Sequence, residues 1–178
     1  MKKKNLNAAL LLFLLILILA AVLLISPHRK KIAVSLSGYQ VNMFDSSQQN
    51  SVEIHIEGEL TYGFFSPKHF KGHIGIEGYE ITSDDSYITD IQFTDNCGYL
   101  AYLKVDSGNV KGESLGYICT DNFDSVLILL YDENSPYASK CHTYICAPAE
   151  TIDDACNIAN RLSKNTWMDD IDWSPMMD

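Results

Sequence analysis

Basic residues are scarce beyond position 31 of this chain of 178 residues. Only seven of its 13 lysines and arginines lie there, against all 23 acidic residues, so residues 32–178 carry a formal charge of −16. Such a charge repels phosphate backbones and anionic headgroups, which excludes nucleic-acid binding and docking of this part of the chain on anionic lipid. No Pro- or Gly-rich linker divides residues 32–164, so one folded domain is expected there.

Charged residues are absent from the apolar run at residues 8–25. A helix of this length rises about 27 Å, close to the thickness of a hydrocarbon core. Its end also lacks a small-residue cleavage site and a cysteine that could carry a lipid. The run therefore predicts an uncleaved, membrane-spanning signal anchor, with a cleaved signal peptide as the alternative.

Basic residues flank this run on both sides, with Lys2, Lys3 and Lys4 before it and Arg29, Lys30 and Lys31 after it. The terminal amino group adds a positive charge to the leading segment, which favours a cytoplasmic amino terminus and an extracytoplasmic domain at the cell membrane. The expected organisation is a basic segment 1–7, an anchor 8–25, a basic juxtamembrane segment 26–31, a domain 32–164 and an acidic aromatic tail 165–178.

Apolar and polar residues alternate along much of the domain, which is typical of strands with one buried face. The alternation is clearest between residues 52 and 64. Further strands are predicted near 32–43, 74–81, 87–93, 99–105, 110–119, 125–131 and 142–146. The alternation changes phase at Gly38 and at Gly78, where we expect β-bulges. Residues 126–130 are all apolar, so this strand should be covered on both faces.

A helix is predicted at 152–163, because Thr151 is a suitable N-cap and an apolar stripe follows it. The chain is therefore expected to be mainly β: an antiparallel β-sandwich or open barrel of about seven to eight strands with one C-terminal helix, preceded by a single transmembrane helix.

The five cysteines cannot all pair within one chain, and no Cys-x-x-Cys is present. If residues 107–109 form a three-residue loop, Cys97 and Cys119 face each other across a hairpin, where a disulfide would fit; two reduced thiols are the alternative. Cys141 and Cys146 should lie on opposite faces of one strand, about 16 Å apart, too far to pair.

Carboxylates and imidazoles share one parity on two neighbouring predicted strands. His55 and Glu57 on the first could stand beside His73 and Glu77 on the second, and such side chains can bind a metal ion. The solvent-facing side of any half-buried sheet gives the same pattern. The sequence predicts no other cofactor.

Cys119 at the end of a strand, an anchor and one β-rich extracytoplasmic domain resemble the outline of the sortase family. The resemblance implies a thiolate at Cys119 with His55 or His73 as the acid. Gly116, Tyr117 and Ile118 stand where that family has Thr-Leu-x-Thr, and its arginine on the following strand is missing, since Arg161 lies in the predicted helix.

The acidic tail contains Trp167, Ile171 and Trp173, which could pack back on the domain or dock into a protein partner. Taken together, the sequence favours a membrane-anchored extracytoplasmic binding or accessory module without catalytic activity. The alternative is a cell-surface enzyme that uses the Cys119 thiolate or a metal on the His/Glu face.

Overall fold

The computed structural model describes residues 12–17, 26–45, 49–64, 66–106, 109–131 and 141–174. Antiparallel strands form a closed barrel in which each strand pairs with the next and the last pairs with the first. The strands are β1 (His28–Asn42), β2 (Gln49–Tyr62), β3 (His69–Ile76), β4 (Ile88–Gln92), β5 (Cys97–Asp106), β6 (Asn109–Thr120), β7 (Val126–Leu130) and β8 (Thr143–Ala147), followed by helix α1 (Ile152–Ser163). The mainly β fold with a C-terminal helix is confirmed, but the sheet is neither a sandwich nor open. The closing pair is short, because β8 pairs only with residues 39–42 of β1.

No helix among the described residues is both long enough and apolar enough to cross a bilayer. Residues 12–17 are helical, whereas 1–7 and the rest of the predicted anchor, 8–11 and 18–25, lie outside the described residues. The predicted juxtamembrane segment 26–31 is largely strand, because β1 begins at His28. Its basic residues pair with β2, where Arg29 lies 3.5 Å from the Glu59 carboxylate.

The barrel is filled by the inward-facing residues of its strands and by Phe123 from the turn between β6 and β7; we call this set the inner core. Large aliphatic and aromatic side chains dominate it, and each is almost fully buried: Ile54, Ile56, Leu60, Phe70, Ile74, Ile91, Leu100, Tyr102, Ile118, Phe123, Ile128 and Ile145. The interior is thus a packed core rather than a ligand channel, as expected for an eight-stranded barrel.

A second apolar cluster, which we call the outer cluster, lies between the outside of the barrel and α1. In β7, Val126, Ile128 and Leu130 face the inner core while Leu127 and Leu129 face the outer cluster. The prediction that this strand is covered on both faces is therefore confirmed.

Helix α1 begins as predicted and covers the outer cluster with its apolar stripe. Thr151 is its N-cap, and the Thr151 hydroxyl accepts a hydrogen bond from the amide of Asp154 at 3.2 Å. Ala155, Ala159 and Leu162 are buried against the barrel. Small residues at this face let the helix axis approach the sheet closely.

The bulge predicted at Gly38 is wrong, because β1 pairs with β2 without any change of register. Ile32 belongs to the inner core, whereas Val41 belongs to the outer cluster. The strand thus passes from one core to the other, and its apolar parity changes although no residue is inserted. The apolar residues change parity in the sequence because the first half of β1 packs on the inner core and the second half packs on the outer cluster, on the opposite face of the strand.

The bulge predicted at Gly78 is also wrong, because β3 ends at Ile76 and the chain turns there with Gly78 at a φ of 86°. A 3-10 turn follows at Glu80–Ser83. The buried Thr82 hydroxyl accepts from the Ile76 amide and donates to the Ile76 carbonyl, each at 2.8 Å. This turn therefore takes over hydrogen bonds that a neighbouring strand would otherwise supply to the end of β3.

The β5–β6 hairpin has a shorter loop than predicted. Asp106 pairs with Asn109, which leaves two residues between them instead of three. Farther along, Leu100 pairs with Gly116, so Leu115 is an extra residue in β6 and forms a β-bulge. The bulge shifts the register by one residue and so restores the alignment that the three-residue loop would have produced.

Beyond this bulge, Cys97 lies directly opposite Cys119, and the structure joins them in a disulfide. The two residues are 22 positions apart, and closing a loop of this size stabilises a fold by about 3 kcal/mol in the chain-entropy treatment. Cys146 lies in β8 as a buried free thiol and is not joined to Cys141. Burial holds the pKa of Cys146 far above its ordinary value, so this thiol is unreactive.

Candidate functional site: an acidic cleft on three strands

An open cleft of about 800 Å³ lies on the outer face of β1, β2 and β3. We call it the acidic cleft. The segment that follows β3 also contributes to its lining. Its polar lining residues are Ser35, Glu53, His55, Glu57, His73, Glu77, Thr82, Ser83 and Asp85.

The register of the three strands places these side chains in rows. Ser35 pairs with His55, which pairs in turn with Gly75, while Glu57 pairs with His73. Gly75 leaves room between the two imidazoles, since a Cβ there would lie 3.6 Å from Nε2 of His73 and 3.8 Å from Cβ of His55. A larger residue at this position would fill part of the cleft.

Hydrogen bonds fix several of the lining side chains. Nδ1 of His73 lies 3.2 Å from the carbonyl of Tyr87, which can only accept, so this nitrogen carries the proton. Nδ1 of His55 is 2.9 Å from the Ser35 hydroxyl. The carboxylate of Glu77 accepts from the amide of Glu53 at 3.2 Å. These side chains of the cleft are therefore held in place without a ligand.

The rim segment after β3 is anchored by Asp84. Hydrogen bonds from the Ser86 hydroxyl and from the Lys104 ammonium, at 2.5 Å and 2.9 Å, hold the pKa of the Asp84 carboxyl well below its ordinary value. Asp84 therefore stays ionised and ties this segment to β5, next to Asp85 of the cleft.

The four predicted metal ligands, His55, Glu57, His73 and Glu77, all line the acidic cleft. Within the described ranges, however, no three His, Cys, Asp or Glu side chains are grouped closely enough to hold a metal ion. Sequence parity thus identified residues of one surface, and the side-chain positions give a metal site no further support. It stays a prediction.

The disulfide removes the thiolate that a sortase-type mechanism requires. Cys119 is fully buried, is bonded to Cys97 and belongs to the outer cluster, whereas His55 and His73 line the acidic cleft. The resemblance in outline therefore does not extend to the site.

The tail packs back on the domain. Trp173, predicted as a candidate for partner binding, is 1% exposed, and its indole nitrogen donates to the Ser163 hydroxyl at 3.0 Å. Ile171 is half-buried, whereas Trp167 is 54% exposed. Of the two tryptophans only Trp167 is available on the surface, so Trp173 is corrected to a structural residue.

Sequence reasoning missed a cluster of aromatic residues around Trp167. Tyr99 pairs with Tyr117 in the register that also aligns the disulfide, and Tyr117 contacts Trp167 with ring centroids 4.8 Å apart. Tyr131 lies beside Tyr117 at 5.7 Å. The pairing that predicts Cys97 opposite Cys119 also implies Tyr99 opposite Tyr117, so half of this cluster was readable from the sequence.

Comparison with protein-family models, with curated proteins and with solved structures gave no match.

Proposed function

We propose that the protein is a membrane-anchored extracytoplasmic binding module without catalytic activity, and that the acidic cleft binds a ligand with several positive charges. The observation that supports this proposal is the cleft itself, which is about 800 Å³ in volume and is lined by the carboxylates of Glu53, Glu57, Glu77 and Asp85. None of its lining residues is a lysine or an arginine. Its field therefore attracts cations and repels anions.

The rest of the domain reinforces this field. Residues 26–178, which include the basic residues at the start of β1, carry a formal charge of −13. A flexible polycation such as a lysine-rich peptide can reach several carboxylates at once, and each contact adds modestly to affinity at the surface. Electrostatic steering should also raise its association rate, with a strong dependence on salt.

A fluorescent decalysine peptide provides a direct test on the full chain in a polyoxyethylene detergent. We expect saturable binding, and we expect the Glu57→Gln, Asp85→Asn double variant to bind about tenfold more weakly at low salt, since two unit charges are removed near the peptide. These two residues are chosen because Glu77 also holds a backbone amide. Fluorescence anisotropy measures the affinity.

The matched control is the Glu113→Gln, Glu150→Gln variant, which changes net charge equally at exposed positions outside the cleft. It should retain affinity within about twofold. Equal weakening by both double variants, or no saturable binding by the unmodified chain, would contradict the proposal.

The proposed placement rests on the apolar run and its flanking charges. The Cys97–Cys119 disulfide supports it, because disulfides persist in oxidising compartments. An amine-reactive reagent that does not cross membranes should label the exposed Lys111 in intact cells, and should label Lys2, Lys3 and Lys4 only after permeabilisation. Peptide mass spectrometry measures the labelling of Lys111 and of the three amino-terminal lysines in the same sample.

The reverse labelling pattern would overturn the orientation. A mature chain that begins near Ser26 would overturn the anchor, although the binding experiment would be unaffected.

A further inference from the structure

A second cavity, of about 250 Å³, opens beside the β5–β6 hairpin. Three aromatic side chains line it together with polar residues of β4 and the turn that follows. Its lining includes Tyr99, Tyr117, Trp167, Asp95, Gln92 and Thr94. We call this cavity the aromatic pocket.

The rings stand as walls at steep angles to one another. Tyr117 meets Tyr99 at an interplanar angle of 71° and Trp167 at 66°. Such walls form a corner rather than the flat platform on which a sugar ring stacks. Several ring faces around a compact group are the arrangement by which proteins bind quaternary ammonium ions.

The pocket also has the charge that such a cation requires. Asp95 is its single ionisable acid, and no lysine or arginine lines it. Asp95 and Asn96 both have positive φ, 50° and 64°, in a two-residue turn closed by hydrogen bonds between Thr94 and Cys97. These are the residue types that tolerate this conformation, so the turn holds the Asp95 carboxylate at the rim.

Two features hold the aromatic walls in place. The disulfide at Cys97, which itself lines the pocket, fixes the register that sets Tyr99 opposite Tyr117. Tyr131 contacts both tyrosines, at 6.3 Å and 5.7 Å between ring centroids. Pre-formed walls reduce the entropy that a ligand must offset on binding.

We infer that the aromatic pocket binds the trimethylammonium group of a compact organic cation of the choline type. This site is separate from the acidic cleft, and its cation is held by ring faces and one carboxylate instead of by many charges. Its occupant is therefore small and methylated, whereas the cleft accommodates an extended polycation.

Strand pairing places the pocket at one end of the barrel. Gln92 pairs with His69, which pairs with Thr61, which pairs with Arg29 near the start of β1. This end lies next in the sequence to the predicted anchor. A trimethylammonium group could thus come from a free solute or from a zwitterionic lipid headgroup, and the two sources need separate probes.

Saturation-transfer NMR on the full chain, in a polyoxyethylene detergent, measures the two probes. They are choline and dihexanoylphosphatidylcholine below its critical micelle concentration. Tighter binding of choline would indicate a solute, and tighter binding of the phospholipid a headgroup. The neutral isostere of choline, 3,3-dimethylbutanol, should bind at least about tenfold more weakly than choline, because it lacks the charge that the ring faces attract.

Variants then locate the site. Trp167→Ala should weaken choline binding about fivefold or more, and Trp167→Phe should restore most of it. Asp95→Asn, which keeps a residue suited to positive φ, should weaken it about threefold. Tyr62→Ala removes an aromatic residue, 43% exposed, from outside the pocket and should have no effect.

The inference is overturned if neither probe binds at up to about 50 mM, a limit well above the affinity expected of an aromatic cage. It is also overturned if 3,3-dimethylbutanol binds as tightly as choline, or if Trp167→Ala and Tyr62→Ala act alike. Near-UV circular dichroism confirms that each variant is folded. None of these results depends on the acidic cleft.

Discussion

Replacing Gly116 by alanine is expected to lower the free energy of unfolding by more than about 3 kcal/mol, because strain and overpacking act together. A Cβ at this position would lie 1.9 Å from the backbone carbonyl oxygen of Leu129. Gly116 also has a φ of 150°, which other residues rarely adopt. The obstacle is the backbone of β7, so a side-chain rotation cannot relieve it. Urea denaturation followed by circular dichroism measures the change.

Gly112→Ala is the matched control in the same strand. Its Cβ would meet only the end of the Leu103 side chain, at 3.2 Å, and its φ is not in the left-handed region. We expect the free energy of unfolding of this control to lie within about 1 kcal/mol of that of the unmodified chain. A Gly116→Ala variant as stable as Gly112→Ala would show that β6 and β7 do not approach each other as described.

The bulge at Leu115, directly before Gly116, matters beyond stability, because it sets the register of the hairpin. On one side of it Asp106 pairs with Asn109, and on the other Cys97 pairs with Cys119. Without the extra residue the two cysteines would be displaced by one residue in the pairing, and their side chains would lie on opposite faces of the sheet. The bulge at Leu115 thus aligns the disulfide and the facing tyrosines of the aromatic pocket, and Gly116 beside it lets β7 pack closely.

The strands were predictable because each has a face buried in the inner core. Period-two alternation between residues 52 and 64 reports this directly. Barrel closure was not predictable, since β1 pairs with β8 across most of the chain and alternation does not identify a strand's neighbours. A sandwich and a closed barrel give the same alternation. The bulge predicted at Gly38 was wrong because β1 contacts two cores, so its apolar parity changes there without an inserted residue.

The candidate sites differ in how much of them is local in sequence. His55, Glu57, His73 and Glu77 lie on neighbouring strands, so parity alone placed them on one surface, now seen to be the acidic cleft. The aromatic pocket combines a hairpin with Trp167 from the tail, which is distant in the chain. Long-range docking of this kind depends on the outer cluster, and no short-range pattern in the sequence reports it.

Replacing Trp173 by alanine should cost about 3–5 kcal/mol, the usual loss for truncating a fully buried tryptophan. Its ring packs edge-on against Tyr144 with centroids 5.2 Å apart, and its indole donates to Ser163. The Tyr144 hydroxyl in turn donates to the backbone carbonyl of Trp173 at 2.7 Å. The same hydroxyl lies 3.3 Å from the Cys156 sulfur. Burial, and after it this hydrogen bond, raises the pKa of Tyr144, so the phenol remains protonated as a donor.

Trp167→Ala is the control for this experiment, because Trp167 is in the same tail but 54% exposed, against 1% for Trp173. It should cost about 1–2 kcal/mol in urea unfolding, clearly less than Trp173→Ala, since about half of its surface stays in water. The difference between the two variants measures how far the tail belongs to the outer cluster. If both cost the same small amount, the tail is not held on the barrel, and docking of Trp173 into a protein partner again becomes the better interpretation.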